Sequence, residues 1–170
     1  MKYFAIIFFS LFFTSFFSPV TQAESVPAFL TQEKTSIWMN SDNMIAETIL
    51  YSCSSLEDKT QSILEKLGAT SISVRCYGDG DPTRVSYSPT LELKFNATRL
   101  PSLRRSGPPS TGTWTNVSFK GFNDCDTTYQ ILAGVKDQFD TQGFMTRNPC
   151  NTNDDGYDFS FLVLSPNAGH

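Results

Sequence analysis

The sequence predicts an α+β fold, in which a mainly antiparallel sheet carries two helices on one of its faces. Two stretches repeat one order of elements, namely cysteine, helix, strand and cysteine; they run from Cys53 to Cys76 and from Cys125 to Cys150. Apolar and polar residues alternate at residues 91–98 and 114–122, as is typical of an antiparallel sheet with one buried face. These patterns together predict a two-layer sandwich around one core.

The predicted order is β-α-β-β, linker, β-α-β-β, with pseudo-repeats at residues 45–98 and 113–164. Identity between the two is poor, so the repeat is one of pattern alone. Each unit buries one helix against a sheet, which is the split β-α-β logic of ferredoxin-like folds. Residues 99–112 are rich in Pro, Gly and Arg and are predicted to be an exposed linker between the units.

Residues 1–23 have the features of a cleaved signal peptide. A charged start precedes an apolar run at residues 4–17, and small residues offer a cleavage site after Ala23. The run is shorter than the roughly 20 apolar residues of a membrane span. The mature chain is therefore expected to be exported to the periplasm or outside the cell, with no span left after cleavage.

The mature chain, residues 24–170, has the length of a single domain. Its first part, residues 24–44, is mixed and polar. We predict that this part is a lead-in of uncertain order, with one short strand near residues 36–39.

In the first unit, the run at residues 46–52 is apolar and predicts the first strand. Ser54 and Glu57 have the spacing of a capping box that opens a helix, and Gly68 is suited to end it. The strand at residues 71–77 follows. The buried face of the helix is predicted from its spacing to hold Leu56, Thr60, Ile63, Leu64 and Leu67.

In the second unit, a strand at residues 114–122 precedes a helix that Asp124 is placed to cap. Further strands are predicted at residues 144–148 and 157–164. The buried face of this helix is predicted to hold Thr128, Ile131, Leu132, Val135 and Phe139.

All four cysteines follow the export signal, which points to disulfide bonds in an oxidising compartment. Four cysteines allow three pairings. Because a helix and the strand after it run antiparallel, the two cysteines of each unit come together. We therefore predict the disulfides Cys53–Cys76 and Cys125–Cys150.

The charge balance argues against a nucleic-acid partner. Without Lys2, 12 basic side chains face 17 acidic ones, whereas nucleic-acid binding normally shows a basic excess. Nucleophilic catalysis is also disfavoured, since the only histidine is the last residue, His170, and no motif of a nucleophile or phosphate loop occurs. A pair of carboxylates brought together by the fold could still perform acid–base hydrolysis.

Two acidic turns follow the second cysteine of each unit and offer weak calcium candidates. Their oxygen-bearing side chains are Asp79 and Asp81, then Asn151, Asn153 and Asp155. The second turn fits the opening half of a calcium loop, but Leu162 stands where the bidentate Glu should be. Asp, Asn and Gly also dominate ordinary hairpin turns, so we predict no cofactor.

The strand alternation predicts a basic, aromatic-bearing surface on the sheet face away from the helices. The side chains predicted to point there are Arg75, Tyr77, Lys94, Trp114, Lys120 and Arg147. The linker adds Arg104 and Arg105. The alternative is a face that is simply solvated, as in many antiparallel sheets. Asn96 and Asn116 also point outward and head glycosylation triplets if the source is a eukaryote.

These observations predict a non-catalytic binding module that contacts a protein partner or an anionic surface through the open sheet face and the linker. The alternative is a small secreted hydrolase that uses a carboxylate pair, with calcium assistance from the acidic turns.

Overall fold

The computed structural model describes residues 25–40, 51–78, 85–86, 88–102, 107–121, 124–144, 150 and 157–167. The described residues form eight strands, two α-helices and a short 3₁₀ helix at Lys136–Gln138. The elements are β1 Ser25–Trp38, β2 Tyr51–Ser52, α1 Cys53–Lys66, β3 Thr70–Tyr77, β4 Val85–Ser86, β5 Thr90–Arg99, β6 Pro109–Gly121, α2 Cys125–Val135, β7 Thr141–Gln142 and β8 Tyr157–Pro166. The predicted signal peptide lies outside them.

Six strands form one antiparallel sheet in the order β3-β5-β1-β6-β8-β7. Strand β1 pairs with β5 from Phe29 to Trp38, and with β6 only from Ser25 to Phe29. Since β1 and β3 are both antiparallel to β5, they run parallel to each other, and helix α1 connects them. Helix α2 likewise connects β6 and β7, which flank β8.

The central position of β1 corrects the prediction that residues 24–44 are a lead-in. Three of its inward-facing residues, Thr31, Glu33 and Thr35, are polar. Because the outward residues between them are polar too, the sequence does not show the alternation of polar and apolar residues that is typical of a strand. Pairing with β5 on one side and β6 on the other supplies the stabilisation that its composition does not indicate.

The described part of the strand predicted at residues 46–52 lies outside the main sheet. Its last two residues, Tyr51–Ser52, pair with Val85–Ser86 in a separate two-stranded ladder. Residues 46–50 lie outside the described residues. The strand that pairs with β5 on the side away from β3 is β1.

Helix α1 confirms the predicted apolar face, because Leu56, Thr60, Ile63, Leu64 and Leu67 are all buried. Gly68 ends the helix with a φ of 81°, a conformation that suits glycine. The predicted capping box is wrong. Ser52 is the N-cap, and the Glu57 carboxylate instead accepts a 2.7 Å hydrogen bond from the backbone N–H of Cys76.

Helix α2 also confirms its predicted face, with Phe139 buried just beyond the 3₁₀ turn. Asp124 occupies the N-cap position but makes no side-chain capping bond; its carboxylate pairs with Lys59 of α1. The strand that follows is Thr141–Gln142, upstream of the predicted residues 144–148, of which 145–148 lie outside the described residues.

The predicted linker, residues 99–112, is shorter in the structure. Strand β5 extends through Arg99, which is 2% exposed, and β6 begins at Pro109. Proline is tolerated as the first residue of a strand, so the Pro-rich composition did not exclude strand here. Residues 103–106 lie outside the described residues.

One hydrophobic core joins the inner face of the sheet to both helices. The rings of Phe95 on β5 and Phe139 after α2 stack with centroids 5.3 Å apart. Helix α1 also reaches the far half of the sheet, where Lys66 lies 4.9 Å from the ring centre of Phe119. Both helices therefore cover the same face of the sheet.

Both predicted disulfides are confirmed. The Cα atoms are 5.3 Å apart in Cys53–Cys76 and 5.6 Å apart in Cys125–Cys150, and no free cysteine occurs. The disulfides are compatible with export to an oxidising compartment. No helix in the described part of the chain is long and apolar enough to cross a membrane.

Candidate functional site

The outer face of strands β3, β5 and β1 carries three rows of side chains, each running across the three strands. The first row is aromatic at both ends: Tyr77 pairs with Thr90, and Thr90 pairs with Trp38. Tyr77 is 50% exposed and Trp38 is 61% exposed. Tryptophan and tyrosine are enriched at the energetic centres of interfaces, so this row is a candidate contact surface.

The second and third rows are polar and charged. Arg75 pairs with Glu92, which pairs with Ser36 on the other side. In the next row Ser73 pairs with Lys94, and Lys94 faces Lys34 directly across the β1–β5 ladder. Like charges in directly opposed positions destabilise a sheet. Their presence is therefore not explained by stability.

A groove of about 890 Å³ follows these rows, immediately beside the aromatic one. Polar side chains dominate its lining, and Lys34, Arg75 and Lys94 supply three positive charges against the one negative charge of Glu92. Among the described residues, none of these three cations has an ion-pair partner. The groove is therefore a net positive site on a chain whose formal net charge is −4.

The structure brings together three of the residues predicted for the outer face, namely Arg75, Tyr77 and Lys94. Trp114 and Lys120 lie on β6, beyond the short segment that pairs β6 with β1, and so belong to the other half of the sheet. Lys120 is neutralised there by Asp158, whose carboxylate lies 2.7 Å from its Nζ atom. Arg147, Arg104 and Arg105 lie outside the described residues.

The predicted site does not include Trp38 and Lys34, because both lie on β1, within the predicted lead-in. The signal that could have placed them on a strand is the recurrence of polar or aromatic residues at every second position, namely Gln32, Lys34, Ser36 and Trp38. The described part of that segment does not cover the outer face; it forms part of the face. The polar inner residues of β1 concealed this.

The calcium candidates Asp79, Asp81, Asn151, Asn153 and Asp155 lie outside the described residues. In the parts of the chain that are described, no group of three or more metal-ligating side chains occurs. Asn116 is exposed and Asn96 is half-buried, and both lie on strands. Their glycosylation stays a prediction.

A second polar cluster lies at the N-terminus of α2. Asp124 forms an ion pair with Lys59, and the hydroxyls of Thr128 and Tyr157 are 2.9 Å apart. Burial raises the pKa of the Tyr157 phenol above 10.0; the hydrogen bond with Thr128 opposes this rise, and the Asp124 carboxylate adds to it. A phenol held neutral is a poor base. We therefore interpret this cluster as an attachment of α2 to α1 and β8.

No protein-family model, curated protein or solved structure matches this chain.

Proposed function

We propose that this chain is an exported, non-catalytic binding module that contacts its partner through the outer face of β3, β5 and β1. The observation that carries the proposal is the three cations, Lys34, Arg75 and Lys94, which lie without ion-pair partners among the described residues beside two exposed aromatic rings. Arginine, tryptophan and tyrosine are the residues most enriched at the energetic centres of interfaces.

The scaffold behind this face supports the same proposal. Inward residues of β5, including Leu91, Leu93 and Phe95, are almost fully buried, so the outward residues between them have fixed directions. The disulfide Cys53–Cys76 also holds the end of β3 to α1. Rigid presentation lowers the entropy that binding must overcome.

We also infer that the chain consists of two like β-α-β-β halves, with β1 in place of residues 46–52 as the first strand. In each half a helix connects two parallel strands that flank a third antiparallel strand. That arrangement is the split β-α-β of ferredoxin-like sandwiches. The symmetric order about the β1–β6 pair supports this inference.

The test is whether the immobilised mature chain captures a binding partner from the envelope or secreted fraction of its source cells. The double variant Arg75→Glu, Lys94→Glu should lose capture while its melting temperature stays near that of the parent, because the attraction that Lys94→Glu gains to Lys34 offsets the repulsion that Arg75→Glu creates with Glu92. Lys120→Glu is the control, since it reverses an exposed charge on the other half of the same face. Full capture by the double variant would reject this face as the contact surface.

The hydrolase alternative, with its carboxylate pair and calcium, remains a prediction, because the acidic turns behind its calcium part lie outside the described residues.

A further inference from the structure

We propose that the groove on the outer face binds an acidic polysaccharide, a linear chain of pyranose rings that carry carboxylates. This inference rests on the proposed function and names the ligand of the same site. The polymer lies across the three strands, with sugar rings against Trp38 and Tyr77, which border the groove, and carboxylates directed toward Arg75 in the adjoining row and toward Lys34 and Lys94 in the row beyond it.

The charges select an anionic ligand. Lys34 and Lys94 face each other across two paired strands, and neither has an ion-pair partner among the described residues. An anion bound between the two ammonium groups offsets their mutual repulsion, which is not offset in the unbound protein. Arg75 lies in the next row, where its planar guanidinium can hold a carboxylate through two parallel hydrogen bonds.

The aromatic row selects sugar rings. Trp38 and Tyr77 are separated by one intervening strand, which places their backbones roughly 9.5 Å apart at the usual strand spacing. This separation is comparable with the length of one disaccharide repeat. The C–H faces of pyranose rings stack on exposed aromatic rings, and the short hydroxyl side chain of Thr90 between them leaves the row accessible.

The lining of the groove disfavours a peptide as the ligand. Peptides are usually held by apolar pockets or by main-chain pairing with a sheet edge, and acidic motifs by clusters of arginine, whereas this groove contains one arginine. Although β3 is an edge strand, the groove lies on the face of the sheet and presents short hydroxyl and amide side chains, including Ser36, Ser73 and Gln32. These groups match the donors and acceptors of sugar hydroxyls.

The experiment titrates the mature chain with oligogalacturonate and oligomannuronate by calorimetry. Two comparison ligands separate the contributions: methyl-esterified oligogalacturonate keeps the rings and removes the charge, and polyglutamate keeps the charge and removes the rings. In a Trp114→Phe background, Trp38 is the sole tryptophan and its fluorescence reports contact directly. We expect both uronates to bind and to shift Trp38 emission, and both comparison ligands to bind about tenfold or more weakly.

Three variants test the residues. Arg75→Gln and Trp38→Ala should each weaken uronate binding by about tenfold or more. Lys94→Gln should weaken binding and at the same time raise the melting temperature, because it removes the repulsion with Lys34. A purely structural role for Lys94 would lower the melting temperature instead. Lys120→Gln, on the other half of the face, should leave binding unchanged.

Four outcomes would overturn the inference. Equal binding of polyglutamate would identify an acidic peptide ligand, and equal binding of the methyl ester would remove the charge requirement. If neither uronate binds while Arg75→Glu, Lys94→Glu still abolishes capture from cell fractions, the polysaccharide is wrong and the binding face stands. If neither uronate binds and capture is also unaffected by that double variant, both proposals fail.

Discussion

Arg99 and Asp140 join the end of β5 to the segment that follows α2. The Arg99 guanidinium is almost fully buried and lies 3.4 Å from the Asp140 carboxylate. It also donates a 3.0 Å hydrogen bond to the carbonyl of Asp137, and the backbone N–H of Leu100 donates to the same Asp140 carboxylate. This contact ties the first three-stranded part of the sheet to the second helix.

Loss of the Asp140 charge should therefore destabilise the fold. We expect Asp140→Asn to lower the free energy of unfolding by about 3 kcal/mol, because the buried guanidinium loses its counter-charge. The double variant Arg99→Met, Asp140→Asn should recover part of this loss, since no buried charge is left. Urea unfolding of the parent, both single variants and the double variant measures the coupling. Strictly additive losses would mean that the pair contributes nothing through its charges.

Gly134 allows α2 to approach β1 closely. A methyl group at this position would lie 2.7 Å from Cγ1 of Ile37. Gly134→Ala should gain about 1 kcal/mol in helix propensity, yet overpacking costs about 1–3 kcal/mol, so we expect a net loss of stability. In an Ile37→Ala background, where that space is empty, the same substitution should become stabilising. Thermal unfolding of the parent and the three variants decides; a stabilising effect of Gly134→Ala in the parent would contradict the close approach.

Tyr157 should make stability depend on alkaline pH. Its pKa is raised in the folded state, chiefly by burial, so the folded chain holds the phenolic proton more strongly than the unfolded chain. This contribution is complete below the unfolded pKa of about 10 and is lost as the pH rises through the raised folded value. The stability difference between the parent and Tyr157→Phe should therefore shrink between about pH 8 and about pH 11.

The measurement is urea unfolding at both pH values. Tyr77→Phe is the control for loss of a phenol, because Tyr77 is exposed on the outer face. An unchanged difference between the parent and Tyr157→Phe would show that Tyr157 does not contribute to the alkaline decline.

The two disulfides should contribute similar amounts to stability. They close loops with sequence separations of 23 and 25 residues, for which chain entropy gives about 3 kcal/mol each. We expect Cys53→Ala, Cys76→Ala and Cys125→Ala, Cys150→Ala to lower the free energy of unfolding by nearly equal amounts. Denaturant unfolding of each double variant under non-reducing conditions tests this. A loss confined to one disulfide would show that native-state strain or residual unfolded structure outweighs loop closure.

The sequence by itself determined the features that depend on local spacing. The face of α1 that holds Leu56 and Ile63, the stop at Gly68 and the alternation of β5 and β6 could all be predicted, because their periods are visible in neighbouring residues. The disulfide pairing also followed from local order, since each bridge closes within one helix-and-strand unit.

Only the tertiary structure decided that β1 lies at the centre of the sheet and that Trp38 and Lys34 share a face with Arg75. Strand order depends on pairings between residues far apart in sequence. The inward residues of β1 are partly polar, so its sequence lacks the apolar alternation that predicts a half-buried strand. The neighbouring strands, rather than its own composition, bury it. The candidate site was half predicted for this reason: its β3 and β5 residues follow from alternation, whereas its β1 residues follow from non-local pairing.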